Sequence, residues 1–207
     1  MTTIPLRRIA LWGVLVAALL LIVALFTGRS VVVHLPSPAP PVLGTVPAFS
    51  LTNRDGRTVT RETLAGSPWI ADFVFTRCAA SCPMMTARLA HLNRDLPVGK
   101  RVHLVSFSVD PDHDTSAVLA RYAASFHAPP RWLFLTGTVA EIHRLSREGF
   151  KLAVDIPKAG DAGNPQEPIL HSTRFVLVDG QGRIRGYYDG FDEEAMGRLQ
   201  RDLKALG

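Results

Sequence analysis

The chain has 207 residues, with 23 Lys and Arg against 18 Asp and Glu and a net charge of +5 at pH 7. Arg7, Arg8 and Arg29 lie in or beside an apolar N-terminal run, leaving 20 basic against 18 acidic residues from position 31 onward. That balance offers no electrostatic footprint for a phosphate backbone and sets nucleic acid aside as a partner.

The 18 residues from Ile9 to Phe26 carry no charged or hydrogen-bonding side chain except the Trp12 indole. At about 1.5 Å per residue such a helix is about 27 Å long, close to the hydrocarbon thickness of a bilayer. Arg7 and Arg8 precede it and no acidic residue occurs before Asp55. The positive charge predicts residues 1–8 in the cytoplasm, a single transmembrane anchor over 9–26 and the bulk of the chain outside. A cleaved signal peptide is the alternative, but the apolar stretch is long and no clear A-x-A site follows it. No cysteine follows the run either, against a lipid-attached form. Residues 27–45 read as a tether, because Leu35 to Pro41 holds four prolines in seven residues and favours an extended chain.

The globular pattern runs from Val46 to the end. Phe49 to Leu51 and Thr58 to Thr60, around the turn Asn53-Arg54-Asp55-Gly56, predict a β-hairpin. Trp69 to Thr76 reads as a buried strand, Pro83 to Leu96 as a helix and Val102 to Val109 as a second buried strand. Asp114 or Thr115 caps a helix to about Phe126, and Trp132 to Leu135 is a short apolar strand. A helix near 139–148, a strand near 150–154 and a polar loop over 156–168 follow. Thr173 to Val178, the turn Asp179-Gly180-Gln181-Gly182, Ile184 to Tyr188 and a helix over 193–206 close the chain. Strands alternating with helices predict an α/β class with a mixed sheet covered on both faces, and about 160 residues suffice for one core.

Cys78 and Cys82, the only cysteines, fall in the turn between the buried strand and the helix opened by Pro83. Helix N-terminal amides and the adjacent Arg77 favour the thiolate there, which makes the turn a site for metal binding or redox chemistry. Because Pro83 disfavours helical geometry in the residue before it, Cys82 is expected at or beside the helix N-cap, with Cys78 in the loop ahead. A disulfide closing so short a loop would restrain little chain entropy, so a purely structural role is disfavoured. Two thiolates alone suit Cu(I), an added neutral imidazole gives a site that also holds Cu(II), and zinc would want a fourth ligand.

Seven histidines are candidates: His34, His91, His103, His113, His127, His143 and His171. His34 is in the tether, His91 and His143 fall on polar helix positions, and the others except His171 lie in loops, at a strand start or at a helix end. His171 alone immediately precedes an apolar strand after a loop able to close over the cysteines. Spacing by itself leaves the third ligand open.

Gly66, Phe75-Thr76-x-Cys78-x3-Cys82-Pro83, Ser108-Val109-Asp110-Pro111-x-x-Asp114-Thr115, Leu135-Thr136-Gly137 and His171-Ser172 together resemble the Sco/SenC family of membrane-anchored, thioredoxin-fold copper proteins. The resemblance covers nearly all of residues 46–190. It implies a thioredoxin-like fold and copper ligation by Cys78, Cys82 and His171. It also implies a copper-delivering or thiol-reducing role in assembling the binuclear CuA centre of cytochrome c oxidase. The short Arg-led anchor without a transit peptide predicts a bacterial inner membrane with the domain on the periplasmic or extracytoplasmic side, where periplasmic copper donors or thiol reductants would be further partners. Ala79-Ala80-Ser81 and Leu170 depart from the acidic and bulky residues the family often carries at those places.

Asp72 lies inside the apolar strand, six residues before Cys78, the spacing at which thioredoxins place a buried Asp that relays protons to a cysteine. An Asp at a strand edge reaching solvent or an Arg is the competing expectation. Met84 and Met85 read as packing residues of the helix, and Asp110, Asp112 and Asp114 as turn and cap residues rather than a calcium loop. The functional classes left standing are a copper metallochaperone and a thiol:disulfide oxidoreductase using Cys78 and Cys82. A peroxidase with Cys78 as nucleophile has no supporting pocket residues.

Overall fold

The computed structural model describes residues 6–27, 38–96, 102–155 and 169–206. They fall into two compact units, Met1–Pro36 and Ser37–Gly207. In the first, helix α1 spans Leu6–Thr27. Its side chains are described continuously over the 15 residues from Ala10 to Ala24, all exposed. That stretch is about 22 Å long, short of the hydrocarbon thickness. Among the described residues no helix is long and apolar enough to cross a membrane, so the anchor expected over 9–26 is not carried by them alone.

In the second unit the elements run β1 (Gly44–Thr45), β2 (Ser50–Asn53), β3 (Thr58–Thr60), β4 (Trp69–Val74), α2 (Ser81–Asp95), β5 (His103–Ser108), α3 (Ser116–Ser125) and β6 (Trp132–Thr136). There follow α4 (Val139–Arg144), β7 (Val154–Asp155), β8 (Leu170–His171), β9 (Arg174–Val178), β10 (Arg183–Asp189) and α5 (Glu193–Ala205). Eight strands form one mixed sheet in the order β1-β10-β9-β4-β5-β6-β2-β3, and β7 pairs with β8 separately. The pairs β4–β5 and β5–β6 are parallel, while β9 and β10 add antiparallel. This is the mixed α/β sheet that the alternation of strands and helices predicts, and it is consistent with the thioredoxin-like fold that the resemblance implies.

Alternation along the central strands sorts side chains to the two faces. Ile70, Leu104, Phe134, Phe175 and Leu177 share a buried cluster with Met85 and Leu89 of α2, Leu119 of α3 and Leu199 of α5. Ala71, Phe73, Val105, Phe107, Leu135 and Val176 belong to the other cluster, with Ile142 of α4, Phe150 and both cysteines. Phe107 stacks on Phe73 with centroids 5.1 Å apart and lies edge-on to Phe49 at 5.8 Å. Gly66, at φ +84°, donates its N–H to Gly180 O at 2.8 Å. A left-handed residue there lets the loop before β4 lie against the β9–β10 turn.

Several local expectations change. The helix expected from Pro83 begins at Ser81 with Ala80 as N-cap, so Cys82 is inside the first turn rather than at the cap. Pro83 is accommodated because first-turn amides have no intrahelical partner. Thr115, not Asp114, caps α3, accepting from Val118 N–H at 3.4 Å. The helix expected to 148 stops at Arg144 and continues as a π-helical turn to Gly149, and the strand expected near 150–154 is only Val154–Asp155. Residues 40–45, expected in the tether, run along the β10 edge: Leu43 N–H donates to Ile184 O, and the buried Arg185 donates through Nε to Pro40 O at 2.8 Å. The polar loop expected over 156–168 and His34 lie outside the described residues.

Candidate functional site

β4 ends at Val74, and the chain crosses from its C-terminal edge into α2 within seven residues, which brings both cysteines to one turn. Neither is in a disulfide, Cys78 is 5% exposed and Cys82 is fully buried. The Cys82 N–H donates to Cys78 Sγ at 3.4 Å, and Ser81 Oγ lies 3.6 Å from the same sulfur. Cys82 Sγ in turn accepts from Phe75 N–H at 3.4 Å.

These surroundings separate the two thiols. Burial works to raise Cys78, but the amides of Cys82 and Ala80 and the Ser81 hydroxyl outweigh it and hold that thiol below its ordinary value. Burial drives Cys82 far upward, only partly offset by the Phe75 amide, and the neighbouring Cys78 adds to the rise. The guanidinium of Arg77, expected to favour the thiolate, is engaged elsewhere: it donates through Nε and an Nη to Asp110 Oδ2 at 2.9 and 2.6 Å.

Asp72 is not at a strand edge. Its strand β4 lies between β9 and β5, and the residue is fully buried on the sheet face that carries Ile70, beneath α2 and α3. Neither carboxyl oxygen has a hydrogen-bond partner of ordinary geometry. Ser106, its register neighbour on β5, offsets part of the cost of burial, its hydroxyl accepting from Trp132 Nε1 at 3.0 Å and keeping its own O–H for the carboxyl. Loss of hydration therefore pushes the Asp72 carboxyl up to about 7. The proximity is electrostatic as well, since an ionised Asp72 helps keep the Cys82 thiol protonated.

His171 is the second residue of β8, where its backbone faces Val154 in register. Its side chain lies outside the described residues. Ile169, two positions earlier, and Leu152 are buried in the core cluster that contains Cys78 and Cys82. His91 is exposed on α2, and His103 lies at the start of β5 with its value lowered by burial. Met85 packs in the core as expected, but Met84 is 54% exposed, contrary to the packing role expected of it.

The segment from Ser108 to Thr115 does more than turn the chain. Asp114 is fully buried, its carboxylate accepting from Thr76 N–H at 3.1 Å, Thr76 Oγ1 at 2.6 Å and Ser108 Oγ at 2.6 Å, with His113 Nδ1 3.0 Å away. Among the described residues Asp110, His113 and Asp114 are the group whose ligand atoms lie within 4.8 Å of one another. Arg77, Thr76 and Ser108 already satisfy those carboxylates, so the cluster is a structural knot. Sequence reasoning missed it because the partners come from a loop 33 to 38 residues away. The spacing of Asp110 and Asp114 after a buried strand was its only signal. A cleft of about 370 Å³ lined by Arg88, His91, Asp95 and Glu193 lies between α2 and α5 and includes neither cysteine.

Comparison with known proteins places this geometry. The family model SCO1/SenC matches residues 40–205. The SCO1 protein homolog of Bacillus subtilis (strain 168) is 34% identical over 163 residues, covering 77% of this chain and 81% of that protein. The mitochondrial SCO2 homolog of Bos taurus is 33% identical over 68% of this chain, which spans only 52% of that relative's length. A SCO1/SenC family lipoprotein from Bacillus anthracis superposes with a TM-score of 0.71 at 33% identity, over 82% of this chain and 99% of that one. ScoI of Bradyrhizobium japonicum, solved with copper bound, superposes with a TM-score of 0.57 at 27% identity over 76% of this chain and 98% of that one. With its fold and nearly the whole globular unit matched, the chain belongs to the SCO1/SenC family.

Proposed function

We propose that this protein is a membrane-anchored copper chaperone that assists assembly of the CuA centre of cytochrome c oxidase, carrying copper as cargo between Cys78, Cys82 and His171. The carrying observation is the pair of buried, reduced cysteines converging at the start of α2, with Cys82 N–H on Cys78 Sγ. Two soft sulfurs in a water-poor turn suit Cu(I), and one imidazole supplies the third donor that Cu(II) wants. The match to a solved relative holding copper supports the reading. The β8 backbone at His171 follows Ile169, which is buried in the cysteines' own core cluster.

In this reading α1 is the single-pass anchor of a bacterial inner membrane, the residues between it and Pro40 are the tether, and the domain from Pro40 faces the periplasm. The partners are the CuA-bearing oxidase subunit and a periplasmic copper donor or thiol reductant. The test is anaerobic titration of the reduced full chain in detergent with copper. One equivalent should bind, and the sulfur-to-Cu(II) charge-transfer absorption should vanish in Cys78→Ser, Cys82→Ser and His171→Ala. A His171→Ala protein that holds Cu(II) as tightly as the parent sinks the ligand set.

The buried, partnerless Asp72 favours a second reading, a thiol:disulfide oxidoreductase acting on the acceptor's cysteines. The Cys78 thiolate attacks the acceptor disulfide, forming a mixed disulfide and releasing one acceptor thiolate. Cys82 then passes its proton to the Asp72 carboxylate and attacks Cys78 Sγ, releasing the second acceptor thiolate. The protein's dithiol is oxidised and the acceptor disulfide reduced, and His171 is not needed.

A further inference from the structure

The Asp114 carboxylate is tied to both sides of the cysteine turn's foundation. Ser108 Oγ, at 2.6 Å, belongs to the last residue of β5, while Thr76 supplies both its N–H and its Oγ1 from the loop two residues ahead of Cys78. A buried carboxylate satisfied by several donors is costly to displace, so Thr76 is held at a fixed point. The Cys82 side of the turn is fixed independently, by burial and by the Phe75 amide on its sulfur. Cys78 stands two residues after the clamped one, and its N–H closes the intervening turn onto Phe75 O at 3.3 Å.

We propose that Asp114 is a positioning residue: through Thr76 it sets where Cys78 stands relative to Cys82, and so sets the balance between the open dithiol and the closed disulfide. The inference rests on Cys78 and Cys82 being the working pair. The clamp is seen with both thiols free, so the arrangement it holds is the dithiol. Weakening it shifts the couple towards the disulfide.

The experiment equilibrates the full chain in detergent, free of metal, with glutathione buffers, and reads the dithiol and disulfide fractions by thiol trapping. Thr76→Val removes one donor from the loop side and keeps the backbone N–H. It should move the equilibrium constant about tenfold towards the disulfide, a potential lower by about 30 mV. Thr76→Ser restores the hydroxyl and should return the parent value. Ser108→Ala removes an equally short hydrogen bond from the strand side of the same carboxylate, and also the acceptor of Asp110 N–H, without touching the loop. It should cost stability in denaturant yet leave the couple near the parent. A shift under threefold in Thr76→Val, a shift in the opposite direction, or an equal shift in Ser108→Ala overturns the proposal. Copper takes no part in this measurement, so failure of the chain to bind copper would sink the chaperone reading and leave this result standing.

Discussion

The backbone N–H of Cys82 donates to Cys78 Sγ at 3.4 Å, so the first turn of α2 solvates one sulfur while burying the other. The contact makes the two thiols chemically unequal although they are four residues apart. An outward thiol that ionises readily can meet a partner or an incoming ion first, and an inward thiol that stays protonated can complete the exchange.

Alkylation should therefore be selective. With iodoacetamide near pH 7.5, Cys78 should be modified at least about tenfold faster than Cys82, because its thiolate fraction and its access are both greater. Mass spectrometry of peptides from Cys78→Ser and Cys82→Ser chains reads the two rates. Faster labelling at Cys82 would contradict the geometry.

Asp72 should make stability fall with rising pH. Its carboxyl is raised from 3.8 to about 7 in the folded chain, so the folded state holds a proton that the unfolded state has already released. The penalty is absent below about pH 4, grows through the window between the two values and is complete above about pH 7, amounting to roughly 4 kcal/mol. Asp72→Asn should flatten this slope and be the more stable protein at about pH 8. Denaturant titrations of both proteins under reducing conditions check it, and parallel slopes would rule the assignment out.

Arg185 should act as a rivet for the segment that leads into the domain. It is 9% exposed at the side chain, donating to Pro40 O and, at 2.8 Å, to Asp179 Oδ2. Arg183 also reaches Asp179 at 2.8 Å, so the carboxylate keeps a partner when Arg185 is lost. Arg185→Met should cost about 2 kcal/mol, less than orphaning a buried charge altogether. Proteolytic cutting near residues 40–45 should accelerate, and an unchanged cleavage pattern would count against the docking.

Phe107→Ala should be the most damaging of these changes. Phe107 is fully buried and touches the rings of Phe73, Phe49 and Phe150 at 5.1, 5.8 and 5.5 Å. Truncating an aromatic ring in such a site costs about 3–5 kcal/mol through lost transfer energy and the cavity left behind. A denaturation midpoint close to the parent's would show that the cluster collapses to fill the space.

Local pattern alone determined the α/β order of elements, the hairpin over β2 and β3, the buried character of β4 and the presence of both cysteines where β4 passes into α2. Each of these depends on side-chain period, turn chemistry or neighbours within a few positions, which a linear string records. Tertiary structure decided what required distant partners. The central position of β4 made Asp72 a buried acid instead of an edge residue, because sheet order is set by packing across the whole core. The pairing of Arg77 with Asp110 and of Thr76 with Asp114 joined segments more than thirty residues apart. Pairings at that separation leave no periodic trace, since they arise only when parallel strands bring the ends of β4 and β5 side by side.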